Sequence, residues 1–195
     1  MKRRTFLASA AAGIAAAPFI TPEASASPRS GPALLTVSGA FHGGNRGEVT
    51  ALDQLMSKHG VQFERAHAFD FAALSVLPTL TIEPVIEYDG QSHSITGPLL
   101  TTVLKAAGVG THDGELVLRA IDGYGAQLTM DEAREMRFII ATHIDGAPLP
   151  LGGLGPLWAV YDPDRVPGMM DKPLGERFAR CPWGLYHIDV VLARI

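Results

Sequence analysis

Of the side chains able to do chemistry, this chain offers seven histidines, one cysteine and a short glycine-rich run. A histidine acts as metal ligand or general base only with partners at a defined spacing. His42, His59, His67, His93, His112, His143 and His187 stand singly, with no helical pair four residues apart, so each reads as a surface or satisfied polar group. His143 is the least ordinary, because it interrupts an apolar strand just before a turn. His187 and Asp189 share one strand face, either as a hydrogen-bonded pair or as a plain solvent row, and the solvent row is the simpler reading. Cys181 lies between Arg180 and Pro182. A cationic neighbour lowers a thiol's pKa, yet a lone loop cysteine is more often inert. Gly152-Gly153-Leu154-Gly155 precedes a strand rather than a helix, so it lacks the helix start that cradles phosphate. The nucleophile elbow G-x-S-x-G, the zinc pattern H-E-x-x-H, the Walker A loop and G-x-G-x-x-G are absent. A single cysteine excludes an internal disulfide framework and any multi-cysteine metal site, and no ligand spacing supports a zinc hydrolase built from scattered histidines.

The balance of charge narrows the partners. A chain of 195 residues with 18% charged and 47% hydrophobic residues is globular in composition, and its net charge of −4 speaks against nucleic acid. Residues 1–26 read as an export signal: Lys2, Arg3 and Arg4 are followed by the apolar run Phe6–Ile20 and the small-x-small site Ala24-Ser25-Ala26. That run has 15 residues, short of the roughly 20 a spanning helix needs, so no transmembrane segment is expected after processing. Arg3-Arg4-Thr5-Phe6-Leu7 resembles the bacterial twin-arginine signal, with an ordinary Sec signal as the alternative. Cleavage leaves Ser27 first and a chain of 13 basic and 19 acidic side chains, destined for the periplasm. Residues 27–33, with two prolines, form a flexible leader.

The elements that must position these residues are short. Ala33–Val37 reads as a first strand, Glu48–Lys58 as a helix stopped by Gly60, and Val61–Ala68 as a strand. Asp70 caps a small helix carrying Phe71, Leu74 and Leu77. Thr79–Tyr88 alternates as a strand whose Pro84 marks an edge or bulge, and Pro98 opens a helix ended by Gly108. Glu115–Ile121 and Ala126–Met130 are strands around Asp122-Gly123-Tyr124-Gly125, and Phe138–Ile144, Leu157–Tyr161 and Leu185–Val191 are further strands. Without a regular βαβ rhythm, this order predicts an α+β fold with a mixed β-sheet over residues 34–195. Its expected core includes Phe63, Leu74, Ile86, Leu100, Val103, Leu104, Leu118, Ile140, Val160, Ile188 and Val190.

One stretch carries more information than the isolated residues. From Asp122 to Asp162 the chain reads Asp-Gly-Tyr-Gly, a short acidic helix, Phe-Ile-Ile-Ala-Thr-His-Ile-Asp-Gly-Ala-Pro-Leu-Pro, then Gly-Leu-Gly-Pro-Leu-Trp-Ala-Val-Tyr. With Tyr88-Asp89-Gly90 and Thr96-Gly97-Pro98-Leu99-Leu100 upstream, and Trp183 and Ile188-Asp189-Val190 downstream, this order resembles the sulfite-oxidase-type molybdopterin-binding domain. The resemblance implies that fold, and a cleft at which the turns 122–125, 143–146 and 152–156 meet. A ligand there would contact Tyr124, His143, Gly153 and Gly155. It also implies an oxidoreductase cofactor that this sequence is poorly equipped to hold. The family ligates molybdenum through a cysteine thiolate on the strand before the Tyr-Asp-Gly turn, and here that strand offers Thr81, Ile82 and Glu83. Trp158 stands where the family often has Arg, and Pro182 where it often has Lys. The expectation is an exported module without cofactor that binds a small anionic ligand or a periplasmic protein. The alternative is a molybdopterin-dependent oxidoreductase with non-cysteine metal ligation.

Overall fold

A computed structural model describes residues 31–110 and 114–192. The export segment, residues 27–30 of the leader and His112 lie outside the described residues. In chain order the elements are β1 (Leu35–Gly39), α1 (Gln54–Lys58), β2 (Ala66–Phe69), α2 (Phe71–Ser75), β3 (Thr79–Ile82), β4 (Ile95–Pro98), α3 (Leu100–Ala107) and β5 (Gly114–Ala120). There follow β6 (Gly125–Thr129), α4 (Met130–Glu135), β7 (Ile139–Ala141), β8 (His143–Ile144), β9 (Ala147–Pro148), β10 (Trp158–Val160), α5 (Leu174–Arg177) and β11 (Leu185–Leu192). The strands form a five-stranded sheet in the order β2-β1-β11-β5-β6, a four-stranded sheet β3-β4-β8-β9, and the pair β10-β7. In the larger sheet β1 runs parallel to β11, while the neighbours outside them are antiparallel. Mixed sheets with short helices are the α+β arrangement that the sequence predicts.

Local chemistry sets the element ends. The Asp70 carboxylate accepts from the Ala73 N–H at 2.8 Å and starts α2. Thr129 and Glu132 form a reciprocal capping box at α4: Glu132 N–H donates to Thr129 Oγ1 at 3.0 Å, and Thr129 N–H donates to the Glu132 carboxylate at 2.8 Å. Gly108 ends α3 at φ +92°, a left-handed conformation in which a Cβ is strained. Gly97 is required for a different reason. β4 crosses β7 so closely that a Cβ at Gly97 would lie 2.0 Å from the Ile140 carbonyl oxygen.

Several sequence expectations give way to tertiary contacts. The helix expected over Glu48–Lys58 is confined to Gln54–Lys58, because the Asp53 carboxylate turns back onto the Thr50 N–H and hydroxyl and pairs with Arg46. The strand expected over Val61–Ala68 pairs only at Ala66–Phe69; the preceding residues arch over the sheet. β3 ends at Ile82, two residues before Pro84, so Tyr88 belongs to a turn. Pro98 closes β4 opposite Thr79 instead of opening a helix, and α3 begins at Leu100.

The main core lies on one face of the five-stranded sheet and extends to the other sheets through Leu35, Val37, Leu100, Leu104, Leu118, Ile140, Val160 and Ile188. Of the expected core residues Phe63 alone is not fully buried. It packs against a small second cluster of Met56, Val61 and Tyr186, on the opposite face of that sheet. A register shift between Leu185 and His187 carries Tyr186 to this second cluster, so the alternation expected along β11 is broken. His187 corrects the solvent-row reading. It is 1% exposed, stacks on Phe63 with ring centroids 6.4 Å apart, and its Nε2 lies 2.9 Å from the Ser38 hydroxyl. Its Nδ1 and Arg119 Nε are buried without a partner.

Candidate functional site

Three loops meet at one cleft. The turn after β3 brings Glu87 and Tyr88, the β5–β6 turn brings Asp122 and Tyr124, and the segment between α5 and β11 brings Phe178, Ala179, Cys181, Pro182 and Trp183. Together they enclose about 360 Å³, within the size range of small-molecule sites. The β5–β6 turn is held locally. Asp122 accepts from the Tyr124 N–H at 2.9 Å, and Gly123 takes φ +94°. The Tyr124 hydroxyl then donates across the cleft to the Ala179 carbonyl. On the other side the chain before β11 runs beside β10: Ala159 N–H donates to the Pro182 carbonyl at 3.1 Å, and Leu185 N–H to the Leu157 carbonyl at 2.9 Å. Trp183 is thereby presented at the cleft mouth.

The floor is apolar and the rim is acidic. Trp158, fully buried, donates its indole N–H to the Cys181 carbonyl at 2.9 Å and contacts Tyr88 and Phe178 with ring centroids 6.3 and 6.1 Å away. Thus the residue standing in place of the family's arginine is a wall behind the cleft. Burial pushes the Cys181 thiol well above its ordinary pKa despite Arg180 nearby, in line with the inert reading. Burial, then the Glu87 carboxylate, likewise raises the Tyr88 phenol. Arg180 turns away and pairs with Glu132 of α4 at 2.7 Å. Among the described residues neither Glu87 nor Asp122 forms an ion pair, and no cationic side chain lines the cleft.

The residues singled out by the sequence are dispersed. Tyr124 lies in the cleft; His143 does not line it. His143 sits half-buried on β8 against Phe71, ring centroids 5.5 Å apart, with Nδ1 at 2.8 Å from the Thr142 hydroxyl. The N–H groups of Gly153 and Gly155 both donate to the Pro150 carbonyl, at 3.2 and 3.1 Å, and so are already engaged within their own loop. Gly155 has a packing role, since a Cβ there would lie 2.3 Å from the Leu149 carbonyl oxygen. The turn 143–146 instead meets the turn that follows Tyr88. His93 joins them, its Nδ1 at 2.7 Å from Asp145 and its Nε2 at 2.9 Å from Asp89. Glu87 and this carboxylate–histidine–carboxylate bridge were not read from the sequence: Asp89 and His93 are only four residues apart, but nothing in the spacing ties them to Asp145.

A molybdopterin needs a soft sulfur ligand and a cavity of its own size. Where the family's thiolate belongs, Thr81 is bonded to the Thr96 hydroxyl at 2.8 Å and Ile82 is buried. The depression beside them, bordered by Arg137 and Arg165, encloses only about 40 Å³, far below the roughly 300 Å³ at which ligand sites begin. Among the described residues no group of three His, Cys, Asp or Glu side chains is placed to share a metal. The one sulfur in the lining of the aromatic cleft, Cys181, is buried and lies far along the chain from the strand of Thr81. These residues do not fit the cofactor. A second groove of about 390 Å³, beside Arg46, Leu52, Leu55 and Leu151, has its charges paired within itself through Arg46 and Asp53.

No protein-family model and no curated protein sequence matches this chain. A solved structure does resemble its fold: that of the sulfane dehydrogenase SoxCD from Paracoccus pantotrophus, with a TM-score of 0.50 and 16% identity. The likeness covers 80% of this chain and 37% of the SoxCD chain, so this protein spans well under half of that length. At such identity the shared property is a distantly related fold. Among the described residues no helix is long and apolar enough to cross a membrane.

Proposed function

We propose that this chain is an exported periplasmic binding module, built on a sulfite-oxidase-like scaffold and working without a molybdenum cofactor. The observation that carries this reading is the aromatic cleft beside Tyr124, whose lining holds one buried sulfur and no cationic side chain. A soft metal needs a thiolate, and the strand from which the resemblance would supply one carries Thr81, bonded to Thr96, and the buried Ile82 instead. The order of motifs and the distant likeness to SoxCD support the scaffold, while fold alone leaves the function to the site.

Metal and pterin analysis of protein purified from its native host tests the reading. The expected result is far less than one molybdenum per chain. Stoichiometric molybdenum would overturn it and make the chain an oxidoreductase with non-cysteine metal ligation, in which case Cys181→Ser should not lower cofactor retention.

A further inference from the structure

We propose that the cleft binds a small organic cation of the alkylated-ammonium class; this rests on reading the cleft as the binding site. Three aromatic side chains line it and remain partly exposed: Tyr88, Tyr124 and Trp183 are 50%, 47% and 36% exposed. Among the described ring contacts none joins two of these three, so the rings do not stack on each other, although the Trp183 indole and the Glu87 carboxylate both approach the Tyr88 hydroxyl. Exposed aromatic faces carry negative electrostatic potential and attract cations, most strongly where water is excluded.

The charges at the rim have the same sign. Glu87 and Asp122 contribute carboxylates with no counter-ion among the described residues, and Arg180, next to Cys181, is held by Glu132. An anion entering here meets two negative charges and no donor cation. A neutral apolar guest gains the aromatic walls but leaves the carboxylates unanswered. An alkylated ammonium satisfies both, its methyl groups against the rings and its charge toward Glu87.

The cage is also pre-formed. Tyr124 is tethered by its hydroxyl to Ala179, Tyr88 leans on the buried Trp158, and Trp183 is fixed by the chain running beside β10. Little side-chain ordering remains to oppose binding. The floor of Phe178 and Cys181 closes the cleft below, so the group that fits is compact.

The test is a calorimetric titration of the purified protein with choline, with its uncharged isostere 3,3-dimethylbutanol and with sulfate, all at one ionic strength. Choline is expected to bind at least about fivefold more tightly than the neutral isostere, the discrimination of one favourable cation–π contact, with no detectable sulfate binding. Glu87→Gln should weaken choline several-fold without changing the thermal midpoint, and Trp183→Leu should abolish the preference for the cation. Equal affinity for choline and its isostere, a preference for sulfate, or no binding of any probe would each overturn the proposal. The comparison of choline with its isostere needs no variant, so it stands even if Trp183→Leu fails to fold. The cofactor-free reading is decided separately by the metal analysis, so the two can fail independently.

Discussion

Two histidines of the same chain titrate in opposite directions because of what surrounds them. His187 is buried against Phe63 with Arg119 and Arg46 near, and burial holds its pKa down to about 3. Its folded value lies below the ordinary 6.5, so the unfolded state binds the extra proton as pH falls. The stabilisation is therefore complete above pH 6.5 and is lost progressively as pH falls toward 3, by roughly 1.4 kcal/mol per pH unit. We expect the thermal midpoint of the wild type to fall more steeply between pH 7 and 4 than that of His187→Gln. Parallel slopes would show that this histidine is not the cause. His93 behaves the other way, because the Asp145 and Asp89 carboxylates favour its charged form and raise its pKa. Asp145→Asn should bring the His93 titration, followed by NMR, back toward its ordinary value. At Cys181 burial keeps the thiol neutral, so a thiol reagent at pH 8 should modify native protein far more slowly than protein in urea.

At the scale of elements, strand crossings and caps make different demands. Where β4 passes β7, both contacting groups are backbone, so a methyl at Gly97 cannot be relieved by a side-chain rotation. Gly97→Ala should cost several kcal/mol, in the range of overpacked core sites, and lower the midpoint of urea unfolding. Thr129→Ala removes only the hydroxyl half of the α4 capping box and should cost about 1 kcal/mol. Equal losses at the two positions would contradict the close crossing. The same elements place the cleft: the β5–β6 turn carries Tyr124, and the segment beside β10 carries Trp183.

At the scale of the whole molecule, the open matter is delivery and what the scaffold then holds. The basic start, short apolar run and Ala-x-Ala site of residues 1–26 lead us to expect a mature protein beginning at Ser27. Amino-terminal sequencing of periplasmic protein that still begins at Met1 would refute this. Replacing both Arg3 and Arg4 by Lys should block export by the twin-arginine route; unchanged export would leave the Sec route. A module of this kind then presents an acidic, aromatic cleft on a chain of net negative charge, a field that draws cations toward it.

The sequence alone determined what depends on neighbours along the chain. Alternation and turn residues located most strands, Asp70 and Gly108 marked helix ends, and the resemblance showed that no thiolate stands near Thr81. Every residue that periodicity assigned to the core except Phe63 is buried, because burial of one strand or helix face follows a fixed spacing. Periodicity failed where a remote contact outbid a local preference. Asp53 pulled residues 48–53 out of a helix to reach Arg46, and a bulge in β11 moved Tyr186 to the far side of its sheet. The loop 48–63 turned His187 from an expected surface group into a buried one. The cleft belonged wholly to tertiary structure. Glu87, Tyr124 and Trp183 come from three separate loops, and only the pairing of β5 with β6 and the run of chain beside β10 bring them together, a closure that no local pattern encodes.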